Sequence, residues 1–118
     1  MNLFEYQGKR LYQDFSIPTP KSIFVSSISE ITDNHGLTYP VVVKAQVQVG
    51  GRGKAGGIKV AKDFDELAKF SGEILGMDIK GHIVESLLLE EASDILEEYY
   101  ISFTLDRSAK SYLMMLSA

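Results

Sequence analysis

Apolar and polar positions along the chain follow two periods, which predict three helices and six strands. Apolar residues three or four apart between Phe4 and Phe15 form one face of a first helix, which Pro18 ends because proline cannot continue a helix. The strongest strand prediction is the valine-rich run 39–49. In chain order the predicted helices lie at 2–16, 29–34 and 63–75, and the predicted strands at 22–25, 39–49, 57–61, 82–89, 97–105 and 111–116. This order is typical of a mixed α/β or α+β fold.

Helix ends carry signals of their own. Asn2 with Glu5, and Asp63 with Glu66, have the spacing of a capping box, in which each end of a four-residue segment satisfies the other's free N–H group. Gly76 follows the third predicted helix and is expected to close it. These signals predict where the first and third helices begin and where the third helix ends.

Composition narrows the function classes. A chain of 118 residues that is 45% hydrophobic and 24% charged predicts one globular domain or a piece of one. The net charge of −4 argues against general binding to nucleic acid or to membrane surfaces, and the absence of cysteine excludes disulfides and thiolate metal sites. Neither a signal-peptide pattern nor an apolar run of roughly 20 residues occurs, so we expect a cytoplasmic protein. Because the sequence ends directly after the apolar run 112–116, we also expect it to be part of a longer protein.

A glycine-rich segment with two cations follows the valine-rich strand. Residues 50–57 read Gly-Gly-Arg-Gly-Lys-Ala-Gly-Gly, which places five glycines around Arg52 and Lys54. Glycine lets main-chain N–H groups approach a ligand closely, successive N–H groups bind anions, and both cations suit phosphate oxygens. The segment predicts a loop that closes over the phosphates of a bound nucleotide. The alternative is an exposed hairpin tip with two solvated cations.

Two familiar nucleotide motifs do not account for this segment. Residues 51–56 match G-x-G-x-x-G, and Glu73 lies at about the distance of the acid that binds the ribose of a dinucleotide. That fingerprint must open a helix, whereas residues 58–60 are typical of a strand. The Walker pattern fails because Gly57 stands where Lys-Ser/Thr should begin. A glycine-rich loop between two strands is similar to the flap that covers phosphates in kinase-like sites.

Lys44 interrupts the apolar strand six residues before the loop. An unpaired buried charge is costly, so this side chain either meets an anion or reaches water. A phosphate held under the following loop would be a natural partner. The alternative is an edge strand with Lys44 facing solvent.

The acidic stretch 90–98 follows a strand and offers a second candidate contact. Its carboxylates could accept hydrogen bonds from ribose hydroxyls or an adenine amino group, while a solvated run of charges is the ordinary alternative. His35 and His82 have no partner at catalytic or metal-ligand spacing, so we expect both to be structural or exposed. We predict no catalytic residue and no metal ligand in this chain.

Together these segments resemble the β subunit of ADP-forming succinyl-CoA synthetase. The resemblance spans all 118 residues and is strongest at 2–7 (NLFEYQ), 43–47 (VKAQV), 50–57 (GGRGKAGG) and 90–95 (EEASDI). It implies an α+β fold of the ATP-grasp type, of which this chain would be the N-terminal portion. Residues 21–93 would form the first subdomain, and residues 1–20 with 94–118 would begin the second.

The resemblance also implies roles for individual residues and for partners. It assigns the phosphates to Lys44, Gly51, Arg52 and Gly53, and the base and ribose to Glu90, Ser93 and Glu98. The family joins succinate and CoA at the expense of a nucleoside triphosphate, through a phosphohistidine on the partner α subunit. ATP is the expected nucleotide, with GTP left open, and the Mg²⁺ ligands are expected beyond residue 118.

Other interpretations stay open. Malate–CoA ligase and ATP-citrate lyase share this front end, although the uninterrupted run 50–57 favours the succinate enzyme. A non-catalytic domain whose basic loop binds an acidic or phosphorylated partner would need the cations but not the acids. Many relatives have a histidine where this chain has Gln48, which leaves the role of that position open.

Overall fold

A four-stranded antiparallel sheet forms the centre of the chain in this computed structural model, which describes residues 2–118. The helices are α1 (Glu5–Asp14) and α2 (Phe64–Ile74), and a single 3-10 turn spans Ile28–Glu30. The strands are β1 (Ser22–Val25), β2 (Val41–Ala45), β3 (Ile58–Ala61), β4 (Asp78–Ile79), β5 (His82–Ile83), β6 (Leu87–Glu91), β7 (Tyr100–Asp106) and β8 (Ser111–Ser117). The central sheet has the order β1-β6-β2-β3, while β4–β5 and β7–β8 form two separate pairs.

Strand β2 lies in the middle of the sheet and divides its two faces. Val41, Val43 and Ala45 are fully buried on one face, where α2 packs against β2 and β3 with its own buried Leu67 and Ile74. Val42 and Lys44 alternate with them and point to the opposite face. Because β2 has a partner on each side, the edge-strand interpretation of Lys44 is wrong.

Helix α1 has no buried residues and is held beside the second face by specific contacts. The Tyr6 ring lies 4.3 Å from the Phe24 ring between centroids, and the Tyr6 N–H donates to Gln46 Oε1 at 3.1 Å. The helix has its N-cap at Phe4, two residues after the predicted Asn2, and the Phe4 N–H donates to Gln7 Oε1 at 2.9 Å. The predicted cap at Asn2 is therefore wrong, whereas the predicted Asp63 cap is confirmed by a 2.9 Å bond from Glu66 N–H.

Three further predicted elements differ from those observed. Strand 39–49 is shortened to β2, because beyond Ala45 the chain leaves the sheet and the Gln46 N–H donates to Ser86 O at 3.0 Å. The predicted strand 82–89 is two strands, of which β5 pairs with the unpredicted β4 and β6 joins the central sheet. The predicted helix 29–34 is only the short 3-10 turn, capped by the Ser27 hydroxyl.

The last two strands form the predicted hairpin. They pair from Tyr100 with Ser117 to Asp106 with Ser111, and Asp106 Oδ1 accepts the N–H groups of Ser108 and Ala109 at 2.9 Å each to close the turn. Strand β7 begins at Tyr100, three residues after the predicted start. The central sheet and α2 all fall within residues 22–91, and the subdomain boundaries at 20 and 93 stay a prediction.

Within residues 2–118, no helix combines the length and the apolar character needed to cross a membrane.

Candidate nucleotide-phosphate site

The glycine-rich segment forms a closed helical turn between β2 and β3. The Ala55 N–H donates to Gly51 O at 3.2 Å, Gly56 N–H to Gly53 O at 3.1 Å, and Gly57 N–H to Arg52 O at 2.8 Å. The last two bonds, with Gly56 at φ +81°, form a Schellman ending, which requires the left-handed conformation that glycine adopts without strain. The loop is therefore a hydrogen-bonded turn of defined shape and not a bare hairpin tip.

The start of this turn presents free main-chain donors. Within residues 2–118, the N–H groups of Arg52, Gly53 and Lys54 make no hydrogen bond. The first N–H groups of a helical turn have no internal partner and carry partial positive charge, so they suit anionic oxygens. The exposed Lys54 side chain adds a full charge beside them.

Gly57 anchors the end of the turn to the sheet. Its carbonyl oxygen accepts the Ala45 N–H at 2.8 Å. A Cβ atom at this position would lie 2.6 Å from Ile79 Cδ1, 3.1 Å from Ala45 Cβ and 3.2 Å from Arg52 O. Only glycine therefore lets the turn pack this closely against the sheet.

Lys44 lies at the centre of an ion-pair network on the second face of the sheet. Its ammonium is 2.7 Å from Glu90 Oε1 on β6 and 3.0 Å from Glu5 Oε1 on α1. The other carboxylate oxygen of Glu90 pairs with Lys9, which also lies 3.4 Å from Glu5 Oε1. Lys44 therefore meets two anions within the chain, Glu5 and Glu90, and its predicted contact with phosphate stays a prediction.

Arg52 joins the network from the glycine-rich turn. Its Nη2 lies 2.8 Å from Glu5 Oε2, and its Nη1 donates to Ala45 O at 2.8 Å. Lys44 and Arg52 come from different segments, yet both contact the same carboxylate. Three cations, Lys9, Lys44 and Arg52, thus surround two carboxylates and leave one excess positive charge.

The network shifts the pKa values of two of its members, Glu5 and Lys9. Burial raises the pKa of the Glu5 carboxyl, but the charge and hydrogen bond of Lys44, and then those of Arg52, outweigh burial and lower the pKa to about 2. Burial also lowers the pKa of Lys9, and the charge of Lys44 adds to that effect, while Glu5 opposes it. Glu5 therefore stays ionised at any pH near neutrality.

A groove of about 750 Å³ runs beside this network. Its walls come from the N-terminal segment on one side and the glycine-rich turn on the other: Asn2, Leu3, Glu5, Val47, Gln48, Val49, Gly50, Gly51, Arg52, Gly53, Lys54 and Ile58. The groove thus brings together the predicted phosphate residues Gly51, Arg52 and Gly53, with Lys44 behind the Glu5 carboxylate.

The predicted base and ribose residues do not share this groove. Ser93 and Glu98 are exposed in the segment after β6, and Glu98 lines a different groove with Tyr99, Tyr100 and Ala118. Glu90 is only 5% exposed, and both of its oxygens contact lysines. Residues 2–118 thus bring the predicted phosphate residues together, and the roles of these residues toward phosphate, like those of Glu90, Ser93 and Glu98 toward base and ribose, stay predictions.

Sequence reasoning missed two glutamines that tie the site together. Gln46 is 2% exposed and accepts the Tyr6 N–H, while Gln48 Nε2 donates to Asn2 O at 2.8 Å. Both side chains hold the N-terminal segment against the chain that enters the glycine-rich turn. Their alternation with Val47 and Val49 resembled a strand, which concealed this role.

Neither histidine belongs to the site, as predicted. His35 Nδ1 accepts the Leu37 N–H at 3.0 Å, and His35 Nε2 lies 2.9 Å from Tyr39 Oη, so this ring braces a loop. His82 is exposed on β5. Across residues 2–118, no three His, Cys, Asp or Glu side chains gather in a way that could hold a metal ion.

Comparison with known proteins identifies the fold. The family profile described as the ATP-grasp domain matches residues 2–118. Among solved structures, an acetyl-coenzyme A synthetase of Ca. Korarchaeum cryptofilum, in complex with coenzyme A and Ca-AMPCP, superposes with a TM-score of 0.81 at 22% identity, covering 99% of this chain and 54% of its own. The ATP citrate lyase of Methanothrix soehngenii gives 0.72 at 24% identity, with 98% of this chain and 31% of that one covered. The D-alanine–D-alanine ligase of Helicobacter pylori gives 0.68 at 16%, with coverages of 97% and 33%.

This chain spans about half or a third of the length of those solved chains. The antiparallel sheet, the two helices and the glycine-rich turn between two strands agree with the α+β class predicted from the sequence. With the profile match extending over nearly every residue, this chain belongs to the ATP-grasp domain family.

Proposed function

We propose that this chain binds the phosphates of ATP as the front part of the β subunit of an ADP-forming succinate–CoA ligase. The observation that carries the proposal is the convergence of Lys44 and Arg52 on one carboxylate beside the unpaired N–H groups of the glycine-rich turn. Family membership supports ATP as the ligand, and two of the solved relatives are named as a coenzyme A synthetase and an ATP citrate lyase. The sequence resemblance supports succinate over malate or citrate.

The chain's own residues bind and orient the phosphates. Lys44 supplies a point charge from a rigid central strand, and Arg52 supplies a planar fork from the turn. The N–H groups of Arg52, Gly53 and Lys54 add directional donors. Since catalysis of phosphoryl transfer rests mostly on positioning and charge stabilisation, this cradle would fix the triphosphate for transfer.

The base and ribose would lie toward the end of β6. In the proposed complex, Glu90, Ser93 and Glu98 contact the nucleoside, and GTP is the alternative nucleotide. The segment that holds Ser93 and Glu98 lacks regular structure and is exposed, so it is free to meet a ligand.

Mg²⁺ would neutralise phosphate charge in the complete enzyme. The described residues do not fit a magnesium site, because Glu5 and Glu90, the carboxylates of the network, are both paired with cations. We therefore propose that its ligands lie beyond residue 118.

The rest of the reaction would depend on parts outside this chain. In the proposed enzyme, an α subunit carries the phosphorylated histidine and contributes to binding succinate and CoA. We place the enzyme in the cytoplasm, with neither nucleic acid nor membrane as a partner.

A second candidate function is a non-catalytic domain that binds an acidic or phosphorylated partner. It is favoured by one observation: the described residues assemble the cationic half of the site, while Ser93 and Glu98 lie apart from it.

The two candidate functions differ in whether the protein uses ATP to join an acid to CoA. The purified full-length protein, co-expressed with its α subunit, would be assayed for thioester formation with succinate, malate, citrate or acetate, and for ADP against AMP. We expect succinate-dependent thioester with ADP as product. ATP binding with no turnover of any acid, or turnover of citrate or acetate in place of succinate, would contradict the proposed enzyme.

A further inference from the structure

Glu5 occupies the same cations that the proposed function assigns to phosphate. Its Oε1 lies 3.0 Å from the Lys44 ammonium and its Oε2 lies 2.8 Å from Arg52 Nη2. Within residues 2–118, no other carboxylate pairs with both side chains. A carboxylate that bridges two cations from separate segments stands where a phosphate would bind.

The charges of the two cations are already engaged within the chain. The second terminal nitrogen of Arg52 donates to Ala45 O, and Lys44 also binds Glu90. A phosphate that joined Lys44 and Arg52 without displacing Glu5 would bring two anions into contact in a partly buried place, which is unfavourable. Glu5 and the phosphate therefore compete for the same donors.

Helix α1 is built so that Glu5 can leave. No residue of the helix is fully buried, and its first turn is held by the contacts of Tyr6 with Phe24 and Gln46 together with the ion pairs of Glu5. Lys9, one turn further along the same helix, lies 3.4 Å from Glu5 Oε1 and offers the released carboxylate a partner. Lys9 also contacts Glu90, so Glu90 would still have a cationic partner if Lys44 turned toward a ligand.

We propose that Glu5 is an internal anion that holds the phosphate site closed, and that phosphate binding displaces its carboxylate and loosens the first turn of α1. This inference rests on the proposed function and adds to it a residue that sets affinity without contacting the nucleotide. The low pKa of Glu5 means that the carboxylate competes as an anion throughout the physiological range.

The direct test is titration of the full-length protein with inorganic tripolyphosphate in EDTA, and separately with adenosine. Glu5→Gln should bind tripolyphosphate at least about tenfold more tightly than wild type, because a neutral amide competes poorly for two cations. Adenosine affinity should not change. Glu73→Gln is the matched control, since it removes the same charge from an exposed ion pair between Glu73 on α2 and Lys59 on β3, and it should leave both affinities near wild type.

Equal or weaker tripolyphosphate binding by Glu5→Gln would overturn the inference while leaving the proposed function in place. No tripolyphosphate binding by folded wild type or Glu5→Gln would instead remove the proposed function, and the inference with it.

A measurement on wild type alone keeps the test independent of the variant. Hydrogen exchange with saturating tripolyphosphate should become faster at Gly8 and Lys9 in α1 and slower at residues 52–57. Slower exchange in α1 would mean that Glu5 helps to bind the phosphate, and the inference would be wrong.

Discussion

The Lys44 ammonium lies 2.7 Å from Glu90 Oε1, between neighbouring strands of the central sheet. Lys44 pairs in register with Leu88, and Glu90 with Val42, so the two charged residues are diagonal neighbours on one face. Glu90 is only 5% exposed. Lys44 is therefore the partner of a nearly buried carboxylate as well as a cation of the proposed phosphate site.

Removing Lys44 should destabilise the fold. Lys44→Ala would leave Glu90 with Lys9 as its remaining cation, and we expect the free energy of unfolding to fall by about 1–3 kcal/mol. Urea denaturation followed by circular dichroism measures the change. Lys62→Ala, at a lysine whose side chain is 75% exposed, should stay within about 0.5 kcal/mol of wild type. Equal stabilities for the two variants would show that Glu90 does not depend on Lys44.

Gly57 and Gly72 should respond in opposite directions to alanine. The added methyl at Gly57 would meet Ile79 Cδ1 at 2.6 Å, and we expect a loss of about 1–3 kcal/mol in unfolding free energy. Gly72 lies in α2, where a methyl group would have no neighbouring atom within 4 Å, so alanine should stabilise the helix by about 0.5–1 kcal/mol. Thermal unfolding of both variants measures the two changes in stability. An unchanged stability in Gly57→Ala would mean that the turn does not pack as closely as described.

The Glu5 carboxylate should make stability depend on pH in the acid range. Its pKa is about 2 in the folded chain against 4.5 for an unperturbed glutamate, so the native state favours the ionised form. The stabilisation is fully present above pH 4.5 and is lost as the pH falls toward 2. We expect the stability difference between wild type and Glu5→Gln to shrink over that interval.

Comparing the stability of proteins with and without Glu5→Gln in a Lys44→Met background tests whether the ion pair with Lys44 causes this pH dependence. Lys44 is the leading attractive partner of Glu5, so the pH-dependent part of the difference should be smaller there. A difference that is independent of pH in both backgrounds would contradict the ion-pair origin of the low pKa.

The residue types in the sequence were enough to predict the fold class and to select Lys44 and Arg52 for one candidate site, and their contact with phosphate stays a prediction. The valine run with one lysine, followed by the run 50–57, is a local pattern, and the structure brings Lys44 and Arg52 to one carboxylate. The exclusion of a dinucleotide fingerprint holds because residues 58–61 form β3 and not a helix.

The partners of these cations could not be predicted in the same way. Glu5 and Glu90 are 39 and 46 residues from Lys44 in sequence, and their approach depends on strand register and on where α1 lies. The departure of the chain from the sheet after Ala45 was hidden as well, since Gln46 and Gln48 alternate with valines as they would in a half-buried strand. Only the tertiary contacts of the two side-chain amides, with α1 and with Asn2, show that this segment has left the sheet and does not continue the strand.

Replacing Arg52 should change the affinity for triphosphate and not the affinity for the nucleoside adenosine. Arg52→Ala removes a fork of donors that faces the groove, and we expect triphosphate binding to weaken by about tenfold or more with adenosine unaffected. Arg52→Lys, which keeps the charge but not the planar fork, should lose less. Equal losses for triphosphate and adenosine would show that Arg52 supports the fold of the turn and does not contact phosphate.

In the proposed function, Lys44 and the glycine-rich turn bind the phosphates of ATP. Isothermal titration of the full-length protein with Mg·ATP, at a temperature where every variant is folded, tests it most directly. Wild type and Lys62→Ala should bind with the same affinity, and Lys44→Ala should bind about tenfold to hundredfold more weakly. Wild-type affinity in Lys44→Ala, or no binding by the wild type, would contradict the account.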